Sequence, residues 1–341
     1  MKKFLLNFLA IIGALFLTVI VMIFALAEPV PDRAEVIIEE VLSGNLPEQI
    51  HGDTGRVAAG DLQIWYESIP AKGEPKGTIL LIMGLGGNAL EWPLYFVQPL
   101  VEAGYQVVRF DNRGTGLSSS SDVPFSMEDM ADDAFLIMDN LNIPAAHIMG
   151  MSMGGMIAQM MAIDQPQRVS TLTLFISSAH LNDPGLPSTE RGTFAKFIAT
   201  GIRHGIPHTQ MNALKSTISV RKVVAQELSD RRIRSLVEQG LYNENYRKGF
   251  NPKAFQHQIQ ALNKLESRYG PLSKLNIPTL VLHGTHDPLI PVEHGVRAAS
   301  IIPGARLVLL EGMGHDLSDE HTEEIHKEMF SLMKKDVFDQ G

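Results

Sequence analysis

The stretch Ala145–Gly155, AAHIMGMSMGG, constrains this chain more than any other. It opens apolar, as a short buried strand does, and ends in Gly150-Met151-Ser152-Met153-Gly154. MIAQMMAI follows, with apolar residues at helical spacing. A strand that passes through a sharp Gly-x-Ser-x-Gly turn into a helix forms a nucleophile elbow. The turn holds the serine in a strained conformation and lifts its hydroxyl above the sheet edge. Gly150 and Gly154 fit because the helix must pass close to the strand, where a Cβ would clash. The bland alternative is a glycine turn with an idle serine. The strand before and the helix after favour the elbow.

The rest of the chain has room for such a scaffold. At 341 residues and 45% hydrophobic it can bury a large core, one α/β domain plus an insertion. A net charge of −9 without a Lys/Arg block argues against a nucleic-acid partner. There is no cysteine, which removes thiol nucleophiles, disulfides and thiolate metal sites together.

At the N-terminus, Lys2 and Lys3 precede an almost uninterrupted apolar run from Phe4 to Ala27. Ala25-Leu26-Ala27 has the form of a secretory cleavage site, which would leave a secreted or periplasmic protein. The run is closer to the roughly 20 residues that span a bilayer. The expectation is therefore a single-pass anchor over residues 1–27, with the membrane as partner and the catalytic body outside the cytoplasm. Residues 28–54, with Pro29, Pro31 and Pro47, read as a linker carrying one short helix over Ala34–Leu42.

From Gly55 onward strands and helices alternate. Arg56–Ala59 and Leu62–Tyr66 flank a Gly60-Asp61 turn as a hairpin. Gly77–Met83, Tyr105–Phe110, Val169–Ile176, Thr279–Leu282 and Arg306–Leu310 read as buried strands. Trp92–Ala103, Met127–Leu141, Val292–Ile302 and Thr322–Phe338 read as helices, the second capped by Ser126. This alternation predicts a mostly parallel sheet covered on both faces. Residues 181–269 are helical and richer in charge. They predict a lid inserted after the sixth strand, between core segments 55–180 and 270–341.

A serine hydroxyl needs a base, and the base needs an oriented acid. Both must sit on loops at the strand ends that carry the elbow. The last strand exits into Glu311-Gly312-Met313-Gly314-His315, which selects His315 from twelve histidines. Thr279–Leu282 exits into His283-Gly284-Thr285-His286-Asp287, which makes Asp287 the acid. The order Ser152, Asp287, His315 is the one this architecture expects. Asp111 also follows a strand but precedes the serine, and a turn-closing role suits it better. His283, His286 and Asp287 lack metal-binding spacing, so neither metal nor cofactor is expected. His147 reads as a packing residue, His180, His204, His208 and His257 as lid residues, and His321 and His326 as the surface of the last helix. For the oxyanion, the elbow offers the backbone N–H of Met153, and the Met83-Gly84-Leu85-Gly86-Gly87 loop offers that of Leu85.

With these pieces placed, the chain from about Gly55 onward resembles the α/β-hydrolase superfamily, and within it bacterial esterases of the aclacinomycin methylesterase type. LLIMGLGGNALEWP at 80–93, VVRFDNRGTGLSS at 107–119, MEDMADDAFLIMDNLNI at 127–143, HIMGMSMGGMIAQMMA at 147–162, LVLHGTHDPLIP at 280–291 and EGMGHDL at 311–317 carry the resemblance. It implies an α/β-hydrolase fold, the triad Ser152, Asp287 and His315, and oxyanion donors at Leu85 and Met153. Met83-Gly84 stands where many members have His-Gly, and Gly114 where esterases of this type often carry an acid. The serine argues against dehalogenase and epoxide hydrolase chemistry, which use an aspartate there.

The expected activity is hydrolysis of a small carboxylic ester through an acyl-enzyme. Phe194, Phe197, Ile202, Met211, Leu241 and Tyr242 are offered as apolar lining from the lid. One alternative is a cofactor-free perhydrolase or acyltransferase, which product analysis with competing acceptors would separate. The other is a non-catalytic ligand-binding relative, whose usual sign is a broken triad.

Overall fold

The computed structural model describes residue 18, residues 21–206 and residues 208–339. Eight strands form one sheet: β1 (Asp53–Ala59), β2 (Leu62–Ile69), β3 (Thr78–Ile82), β4 (Gln106–Phe110), β5 (Ala146–Met151), β6 (Val169–Phe175), β7 (Thr279–Gly284) and β8 (Arg306–Leu310). Their spatial order is β1-β2-β4-β3-β5-β6-β7-β8. The first hairpin and the β2–β4 pair are antiparallel, and every later pair is parallel.

Why the central strands read as unbroken apolar runs is visible in β3. Its alternate residues feed opposite faces: Leu80 and Ile82 join one core, Ile79 and Leu81 the other. The first core is closed by helices α3 (Met127–Asn140) and α4 (Met153–Asp164), and α10 (Glu293–Ile301) adds Ala298. The second is closed by α2 (Leu94–Glu102) and α11 (Thr322–Asp339). The Ser126 hydroxyl accepts from the Asp129 N–H and the Asp129 carboxylate from the Ser126 N–H, a complete capping box that starts α3.

Between β6 and β7 lie the inserted helices α5 (Thr193–Gly205), α6 (Gln210–Ala225), α7 (Asp230–Tyr246) and α8 (Pro252–Lys264), the segment read above as a lid, followed by the single turn α9 (Tyr269–Leu272). Residues 28–54 carry the helix α1 (Ala34–Ser43), which packs on this lid. Ala34, Ile37, Ile38 and Val41 face Leu214, Ile218, Ile233, Val237 and Leu241 in a third apolar cluster.

The N-terminal anchor is corrected. Among the described residues no helix is long and apolar enough to cross a membrane. Most of residues 1–27 lie outside the described residues. In the described part, residues 21–26 are helical, and the chain at their end meets α5. The Glu28 N–H donates to Thr200 Oγ1 at 2.9 Å and His204 Nε2 donates to the Glu28 carbonyl at 2.8 Å. Arg203 lies over the Phe24 ring, 5.1 Å from its centroid. The membrane partnership and the placement outside the cytoplasm rested on that helix and lose their support with it.

His326, read as a surface residue of the last helix, is 5% exposed. Its ring lies 4.6 Å from that of Phe96, and burial pushes its pKa down to about 4. The unfolded chain protonates this imidazole near pH 6.5 and the folded one only near pH 4. Stability should therefore fall as the pH drops through that window, by up to roughly 3 kcal/mol from this group. His326→Leu should flatten the decline between pH 6.5 and 4 in urea titrations.

The lid seam gives a second test. Ile38 is fully buried and Val36, two residues earlier on the same helix, is 49% exposed. Ile38→Ala should cost about 2–5 kcal/mol in urea unfolding, and Val36→Ala less than about 0.5 kcal/mol.

Candidate active site

Ser152 stands between β5 and α4 at φ 55° and ψ −121°, a positive φ in a residue that has a Cβ. Neighbouring backbone holds it there. Its N–H donates to the Phe175 carbonyl at 2.9 Å, and its own carbonyl accepts from Gly155 N–H at 2.9 Å and from Ser177 Oγ at 2.7 Å. A Cβ built on Gly154 would lie 2.1 Å from the Ile82 carbonyl oxygen, so only glycine lets the helix start this close to β3.

Strands β5 to β8 are parallel and adjacent, so the loops after them emerge at one end of the sheet. There His315 Nδ1 meets Asp287 Oδ2 at 2.6 Å, with His315 5% and Asp287 4% exposed. The other carboxylate oxygen, Oδ1, accepts the N–H groups of Leu289 and Ile290 at 2.8 Å each. With Nδ1 donating to a carboxylate, Nε2 of His315 keeps the free lone pair. His283 lies beneath, its Nε2 donating to the Ile290 carbonyl at 2.8 Å and 3.6 Å from Asp287 Oδ2. Burial lowers its pKa, so it stays a neutral neighbour of the carboxylate.

The loop after β3 passes over the serine. A Cβ on Gly84 would sit 3.1 Å from Ser152 Cβ and 3.6 Å from its Oγ. Asn112 Nδ2 fixes the Met83 carbonyl at 2.9 Å, Gln258 Oε1 takes the Gly86 N–H at 2.8 Å, and Gly87 N–H closes on the Gly84 carbonyl at 3.2 Å. Leu85 lies between these fixed points. Met153 is the first residue of α4, where an N–H has no intrahelical acceptor.

Beside this loop, a cavity of about 190 Å³ is lined by Gly86, Asn88, Thr115, Asn243, Phe250 and Phe255 among others. The lid residues offered as apolar lining stand elsewhere. Leu241 and Met211 pack in the cluster around α1, Phe194 and Ile202 are exposed, and the Tyr242 hydroxyl bonds Glu48. The aromatic residues that line this cavity are Phe250 and Phe255. Among the described residues no group of His, Asp and Glu is arranged to hold a metal ion.

Asp111 does more than close a turn. It accepts the N–H groups of Ala89 and Leu117, and its carboxylate pairs at 2.5–2.6 Å with Arg247 of the lid. A second lid cation, Arg232, pairs with Asp316, the residue after His315. Both links join groups 84 or more positions apart, and a single cation among many carries no local pattern that announces its partner. His147 is buried against Thr171 and Tyr105 as a packing residue, and His257 lies buried against Phe125.

A family model for the alpha/beta hydrolase fold matches residues 77–322. The chain is 31% identical over 283 residues to rhodomycin D methylesterase DnrP of Streptomyces peucetius, covering 77% of this chain and 92% of that protein. It is 30% identical to rhodomycin D methylesterase DauP of Streptomyces sp. strain C5, with the same coverage. Among solved structures, the esterase EaEST of Exiguobacterium antarcticum aligns with a TM-score of 0.62 at 20% identity, covering 84% of this chain and 99% of that one. A probable hydrolytic enzyme of Pseudomonas aeruginosa PAO1 aligns with a TM-score of 0.64 at 21% identity, over 84% and 99% of the two chains. With the sheet order, the helices inserted between β6 and β7 and the strained serine turn on the same scaffold, this chain belongs to the α/β-hydrolase family.

Proposed function

We propose that this protein is a serine hydrolase that cleaves carboxylic esters through an acyl-enzyme. The observation that carries the reading is the 2.6 Å contact of His315 Nδ1 with Asp287, at the sheet end where Ser152 is held in its strained turn. The two methylesterase relatives support the same substrate class, so methyl carboxylates are the first substrates to try.

The arrangement supports the following chemistry. His315 Nε2 accepts the Ser152 hydroxyl proton as Oγ attacks the ester carbonyl. The negative charge that develops on the carbonyl oxygen is received by the N–H groups of Leu85 and Met153. Nε2 then returns the proton to the leaving alcohol. A water deprotonated by His315 attacks the acyl-enzyme, and the acid leaves with Ser152 restored. Asp287 holds the tautomer in which Nε2 is the acceptor and stabilises the imidazolium that forms twice in each cycle.

Hydrolysis of p-nitrophenyl and methyl esters of graded chain length by the full chain is the direct test. Ser152→Ala should remove turnover to within the background left by binding and the oxyanion donors. Equal activity in the mutant would overturn the serine mechanism. Acyl transfer to an added alcohol or to peroxide, in preference to water, would move the assignment to the acyltransferase or perhydrolase reading.

Asp287→Asn should leave the fold intact and lower kcat by about 10⁴-fold, because the imidazole then adopts the wrong tautomer. Near-native kcat in this variant, with unchanged circular dichroism, would place the orienting carboxylate elsewhere.

A further inference from the structure

The lid of this protein is wired into the loop that carries His315. His315 N–H donates to the Val224 carbonyl, at the end of α6, at 2.7 Å. The chain is pressed so close there that a Cβ on Gly314 would lie 2.1 Å from the same oxygen. One residue further on, both oxygens of Asp316 are gripped by Arg232 of α7, Nε to Oδ2 at 2.7 Å and Nη2 to Oδ1 at 2.5 Å. Both side chains are 2% exposed. Arg221 of α6 lies 3.6 Å from Asp316 Oδ1 and pairs with Glu91 at 2.7 Å, just beyond the loop that carries Leu85. Tyr95 donates its hydroxyl to the Leu317 carbonyl at 2.8 Å and pins the next residue.

A buried ion pair is a poor source of stability, since desolvation offsets most of the attraction and apolar replacements of similar volume are often neutral. What the pair supplies is geometry. A bidentate guanidinium–carboxylate contact fixes distance and angle together, and this one grips the residue adjacent to His315 from an element that otherwise belongs to the lid.

We propose that Arg232 is a positioning residue for His315: through Asp316 it sets the depth at which the imidazole meets Asp287, so that lid seating and base alignment are one event. This rests on the triad reading above. It assigns Arg232 no contact with substrate.

The test replaces the pair and reads alignment apart from folding. Removing Arg232 alone would strand a buried carboxylate, so the main variant is Arg232→Met with Asp316→Leu, and Arg232→Lys is made beside it to keep the charge while losing the fork. Arg234→Gln is the control, on the same helix as Arg232 but in a more exposed pair with Glu40 of α1. The readouts are kcat and KM for p-nitrophenyl acetate, urea unfolding, and the far-downfield proton resonance of His315 Nδ1–H bonded to Asp287.

The expected result is a kcat lowered about 10- to 100-fold, with KM within about twofold and the resonance shifted or broadened away, in both Arg232 variants. The control should match the wild type in all three. Wild-type kcat and an unmoved resonance in a folded Arg232 variant would overturn the proposal, whatever the change in stability. If the double variant does not fold, Arg232→Lys decides by the same readouts. Ser152→Ala separates the two claims: full activity there sinks the triad itself, whereas loss there with normal kcat in the Arg232 variants sinks only the positioning role.

Discussion

The close passage of α4 across the ends of β3 and β5 is the contact on which the rest of the site depends. A Cβ on Gly154, in the first turn of this helix, would lie 2.1 Å from the Ile82 carbonyl oxygen, and the turn that allows the close passage drives Ser152 to a φ of 55°. Such a conformation costs on the order of 1–3 kcal/mol and persists only because the surroundings over-determine it. Here the sheet on one side and the bonds to Phe175, Gly155 and Ser177 on the other do so. The same closeness brings the loop after β3 over the serine and leaves the first amide of α4 without an intrahelical acceptor.

Around that fixed point the parallel strands act as a ruler. Adjacent strands β5, β6, β7 and β8 deliver their exit loops to one edge, and there Asp287 and His315 come within 2.6 Å of each other. The carboxylate of Asp287 is oriented by two backbone N–H groups on one oxygen, which leaves the other for His315. Orientation of this kind is set by backbone and tolerates little drift.

The inserted helices meet the core through buried ion pairs as well as through apolar contact. Arg232 with Asp316 and Arg247 with Asp111 are near-fully buried pairs across the lid–core seam, and Arg221 adds a bridge to Glu91. Helix α1 seals the outer side through Ile37 and Ile38. The part of the chain read as a linker thus takes part in the packing of the inserted helices. Of the apolar residues before it, Phe24 lies under Arg203 of α5, and no helix among the described residues is long and apolar enough to cross a membrane.

The strands, the elbow and the loops bearing Asp287 and His315 were legible in the residues themselves. An apolar run flanked by glycine turns is buried wherever it goes, and a Gly-x-Ser-x-Gly turn between strand and helix has few other uses. Helix ends shifted by a residue or two, as at α2, which begins at Leu94 behind a short turn and not at Trp92. His326 was misread because a polar residue on an amphipathic helix faces water by default, and only the aromatic ring of Phe96 opposite it changes that. The pairings of Arg232 and Arg247, and the turning of Leu241 toward α1 in place of the substrate side, depended on where lid helices come to rest. Periodicity determines that a helix has a buried face. Which acid or which apolar surface meets that face is decided by tertiary packing, because the energy of a pair depends on distance and desolvation that sequence separation does not encode.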